Sequence, residues 1–61
     1  MSQMLDIVLF IRMSDMVNLC QQLAKQVKEE RPDSTLHVKL NRIGQACEKV
    51  IKEIKDGQLQ D

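Results

Sequence analysis

Sixty-one residues with nine basic and nine acidic side chains carry no formal net charge, so no global field steers the chain towards nucleic acid or acidic lipid. The length allows a single domain at most, 1–61, and a chain this short buries only about 60% of its unfolded surface, which leaves it marginal without reinforcement. Two cysteines and one histidine fall short of a structural zinc site; with no Trp, no Tyr and one Phe the core must be aliphatic and methionine-filled, and association with another chain is the reinforcement left.

The first residues lack the basic region of a signal peptide, and Asp6 interrupts their apolar run. That run, Met4 to Ile11, is far shorter than the ~20 residues a membrane span needs. An intracellular chain, cytoplasmic or nuclear, without a membrane segment is expected. A helix is predicted over about 3–30, with Ser2 a candidate cap and Asp6 near the positive end of its dipole. Along it Leu9, Met13, Met16, Cys20, Leu23 and Val27 alternate spacings of four and three, the ~3.5-residue period of a seam packed on a neighbouring helix.

Arg31-Pro32-Asp33-Ser34 is the predicted turn. Pro32 cannot continue the hydrogen-bond ladder and disfavours helical geometry at Arg31, and Asp33 or Ser34 caps the next helix. This second helix is predicted over about 35–56, ended by Gly57 and succeeded by a frayed tail, 57–61, in which Leu59 folds back on the helix. Its stripe, Leu36, Leu40, Ile43, Cys47, Val50 and Ile54, repeats the first spacing in reflection. Val27 pairs with Leu36, Leu23 with Leu40, and so on out to Leu9 with Ile54, about a centre between Arg31 and Pro32. The fold class read from this is all-α, an antiparallel two-helix hairpin.

The mirrored register sets Cys20 against Ile43 and Cys47 against Met16, an offset of roughly 6 Å that is awkward for a disulfide. Reduced, buried thiols acting as small hydrophobes are expected. The same register sets Leu19 against Gly44, which reads as a gap for a bulky side chain or a close helix approach.

The first three turns of helix one hold more apolar surface than one seam uses. Met4, Ile7, Val8, Phe10 and Ile11 fan around the side away from the seam, and only from Ser14 onwards does that side become polar. A helix apolar all round expects cover all round, yet helix two ends about level with residue 8. A second copy is the simplest cover. The expectation is a homodimeric four-helix bundle, associating through Met4, Ile7, Val8, Phe10, Ile11, Met13 and Val17.

No constellation for catalysis, cofactor or metal is present, and none of these is expected. His37 is the lone imidazole and reads as solvent-facing, the seam cysteines have no histidine beside them, and Gly44 and Gly57 form no phosphate-cradling loop. The function expected is a non-enzymatic protein–protein interaction module, an oligomerisation or docking segment or a small regulator, whose partners are itself and another protein. The alternative is a small DNA-binding transcriptional regulator using Lys39, Arg42, Lys49, Lys52 and Lys55 of helix two; interleaved acids and the lack of a third helix argue against nucleic acid. A membrane-surface helix in the first dozen residues fits poorly with Asp6 and a single basic Arg12.

Overall fold

The protein is described by a computed structural model over residues 3–57. Two helices, α1 (Gln3–Glu30) and α2 (Leu36–Lys55), fold back on one another, and no strand occurs among the described residues. The helical hairpin expected from the two stripes is therefore present, with ends close to the predicted ones. Ser2 as a cap and Leu59 as a fold-back contact lie outside the described residues.

The turn is built from local chemistry. The Arg31 N–H still donates to the Val27 carbonyl at 2.7 Å, and the Ser34 N–H donates to the Arg31 carbonyl at 3.0 Å. Pro32 thus occupies the second position of a β-turn, where its fixed φ is already suitable; no non-glycine residue has positive φ, which makes this a type I rather than a type II turn. Of the two expected caps Ser34 serves: its Oγ accepts the Leu36 N–H at 3.1 Å, while the carbonyl of Thr35 accepts from Val38 at 3.0 Å and Lys39 at 3.2 Å. At the far end Gly57 takes φ 69°, and its N–H donates to the Ile54 carbonyl at 3.2 Å, the left-handed stop expected of glycine after a helix.

The seam between the helices is not the predicted one. Its buried residues are Val17, Cys20 and Ala24 on α1 and Gly44 and Cys47 on α2. Half-buried Phe10, Met13 and Val27, and His37, Leu40, Ile51 and Ile54, extend it towards the ends. The 3.5-residue period survives, but each helix is rotated. Met16, Leu23, Leu36 and Ile43, all expected in the seam, stand exposed. A Cβ built on Gly44 would lie 3.6 Å from the Cβ of Cys20, so Gly44 faces Cys20 rather than Leu19 and the reflection is centred on Pro32 itself.

The physical reason is size. Each helix carries two adjacent apolar stripes, one of large side chains and one broken by Ala24 or Gly44. Small residues let two backbones approach and gain dispersion contacts along their whole length. A count of apolar positions weights large side chains and misses this. One consequence dominates the rest: among the described residues no large side chain is fully buried.

The molecule is a rod of 44 × 15 × 14 Å with a radius of gyration of 13.9 Å, against about 10.5 Å for a compact globule of this length. Its accessible surface is 4997 Å², where a monomer of 7.1 kDa ordinarily shows about 4,100 Å².

Candidate interaction surface

Rotation of the helices gives the hairpin two unlike sides. On one, a shallow groove between the helices is lined by Gln21, Lys25, Lys28, His37, Asn41, Gln45 and Glu48. This side is wet and suited to water. Stepping about 100° per residue from the seam, the other side carries Leu9, Met16, Leu19, Leu23 and Val27 from α1 and Leu36, Ile43, Val50 and Ile54 from α2. No polar or charged residue of either described helix interrupts the sector bordering the seam on this side; Arg12 and Lys39 stand at its outer margins. Leu19 is 55% exposed and Ile43 47% exposed. The large stripe that periodicity assigned to the interior thus forms most of an open apolar face.

The residues expected to carry association divide into two groups. Met4, Ile7, Val8 and Ile11 are exposed on the first turns of α1, as anticipated for an uncovered surface. Val17 is buried against α2 within the same chain, and Phe10 and Met13 are half-buried on the seam. Val17 therefore has no side chain to offer a partner. The cause is again the rotated register: Phe10, Met13 and Val17 follow the seam spacing that leads on to Cys20 and Ala24.

Phe10 is covered by the last turn of α2. Lys55 Nζ sits 5.5 Å from its ring centroid, a cation–π contact of about 0.5–1 kcal/mol at an exposed site. Asp6, Ile7, Phe10, Ile11, Ile54 and Lys55 together outline an apolar notch there. Beyond it the first residues of α1 extend past α2, whose final residue is level with Leu9 in the observed register.

Two polar atoms mark the seam's ends. Oδ1 of Asp6 and Nδ1 of His37 are buried without a hydrogen-bond partner. His37, expected in solvent, is half-buried because the rotation turns it towards α1. Cys20 and Cys47 are free and buried, packed as small hydrophobes beside Gly44.

Sequence reasoning missed Leu19, which it assigned to the Gly44 gap, and it placed Met16, Leu23, Leu36 and Ile43 inside the hairpin. Ala24 and Gly44, each within the period of a second stripe, were the available signal. Among the described residues no cluster of three or more His, Cys, Asp or Glu could hold a metal ion, and no helix is long and apolar enough to cross a membrane. Comparison of the chain with protein-family models, with curated proteins and with solved structures gives no match.

Proposed function

We propose that the chain is a non-enzymatic protein–protein interaction module, a helical hairpin that self-associates into a homodimeric four-helix bundle and works as an oligomerisation or docking segment or a small regulator. One observation carries this reading: no large side chain is fully buried, while eleven large hydrophobic residues among those described are 39% exposed or more. A hairpin core of Val17, Cys20, Ala24, Gly44 and Cys47 is too small to hold 61 residues firmly by itself. Covering the wet half of each large side chain is worth on the order of 1 kcal/mol apiece, an upper estimate. Several of them together rival the stability of a whole domain this size, roughly 0.05–0.15 kcal/mol per residue.

The basic side chains of α2 stand exposed among Glu48 and Glu53, and no feature of the fold favours nucleic acid over a protein partner. Sedimentation equilibrium under reducing conditions tests the proposal. The expected mass at micromolar concentration is twice the 7.1 kDa chain mass. A single species at the chain mass up to millimolar concentration would sink it.

A further inference from the structure

We propose that two copies pair through the broad apolar face on the dry side of the hairpin, and not through the opening turns of α1. On α1 this face is Leu9, Met16, Leu19 and Leu23; on α2 it is Leu36, Ile43 and Val50. The inference rests on the proposed self-association and names the surface that performs it.

Area, chemistry and shape agree. The chain exposes 4997 Å², about 900 Å² more than a monomer of its mass ordinarily shows. A standard stable interface covers about 800 Å² per partner, so the excess is about one side of a dimer. The face is drawn from both helices and runs along most of a rod 44 Å long and 15 Å wide, which supplies that area. Ile7 and Ile11 occupy only the first turns, on the side of the polar groove.

Composition separates the two sides. The sector holding Met16, Leu23, Leu36 and Ile43 carries no charged group, and Arg12 and Lys39 stand at its edge, where a bundle keeps its polar rim. On the opposite side Gln21, Lys25, Asn41 and Glu48 border the groove, and burying them against a copy would leave polar atoms to be satisfied. The face repeats with the same 3.5-residue period as the inner seam, which is the spacing that lets one helix layer pack along another. A second copy presents the same dry, uncharged strip, so a two-fold axis satisfies both at once.

The absence of Trp and Tyr from the chain allows an optical test. Leu19→Trp and Ile11→Trp variants are compared in fluorescence from millimolar to nanomolar concentration, alongside sedimentation. Leu19→Trp is expected to emit at short wavelength when concentrated and to redden on dilution, with Ile11→Trp solvent-like throughout. Leu23→Glu is expected to raise the dimer dissociation constant by about a hundredfold or more, whereas Ile11→Glu leaves it nearly unchanged. Should Leu23→Glu lose its helical circular dichroism, the tryptophan pair decides alone, since both keep an apolar side chain in place. A dimer in which Ile11→Trp reddens on dilution and Leu19→Trp does not would overturn this face while leaving self-association intact. A monomer at every concentration would instead sink the underlying reading. A monomer whose Leu19→Trp emission shortens only with anionic phospholipid vesicles would assign the face to a membrane surface and also overturn the inference.

Discussion

At Gly44 an added Cβ would rest 3.6 Å from the Cβ of Cys20, an ordinary van der Waals separation. Glycine in a helix interior costs about 1 kcal/mol against alanine, and here the space for a methyl group already exists. Gly44→Ala is therefore expected to stabilise the hairpin by about 0.5–1 kcal/mol, read as a higher urea midpoint at fixed protein concentration. A lower midpoint would mean that the helices lie closer than described. Gly57 is the contrasting case: φ 69° is a conformation that other residues adopt only at a cost of roughly 1–2 kcal/mol. Its role was legible from its place after Lys55 and Asp56. That of Gly44 was legible only as a close approach, and its true neighbour was misassigned.

At the scale of the element, α1 and α2 differ in how clearly they declare a face. α2 is strongly amphipathic and α1 only weakly so, because the first turns of α1 are apolar nearly all round. Both nevertheless turn their smaller residues towards one another. Ala24 is 5% exposed in the seam, so Ala24→Leu is expected to overpack it and to destabilise by about 1–3 kcal/mol. In the register inferred from periodicity Ala24 lay beside the seam, and the substitution would cost little. Thermal unfolding followed by circular dichroism separates the two outcomes. Asp6 and His37 lie on the seam at its two ends, each with a buried atom lacking a partner. Neither helps stability, and polar residues at seam positions are known devices for holding a register at some cost.

At the scale of the molecule, the hairpin resembles half of a bundle. It is thin, long and dry along one side, and its inner seam is made of small residues. A chain that folds only as it pairs has a stability tied to its concentration. Each tenfold increase in protein is expected to add about 1.4 kcal/mol per mole of dimer, visible as a steadily rising midpoint of thermal unfolding. A midpoint independent of concentration across three decades would show that one copy is stable alone.

The two helices, their ends near Glu30 and Lys55, the turn at Pro32 and the glycine stop were all readable in the amino-acid order, because each arises from backbone chemistry within a few residues. So was the excess of apolar surface over what one seam uses. Which stripe closes the hairpin and which stays open emerged only once the helices were packed. Periodicity fixes the angle between stripes but not the choice between them. That choice turns on how near two backbones can come, and so on the small volumes of Ala24 and Gly44 facing Cys20 and Cys47. The same packing buried Val17 and exposed Leu19, moving the candidate docking surface from the opening turns of α1 to a face shared by both helices.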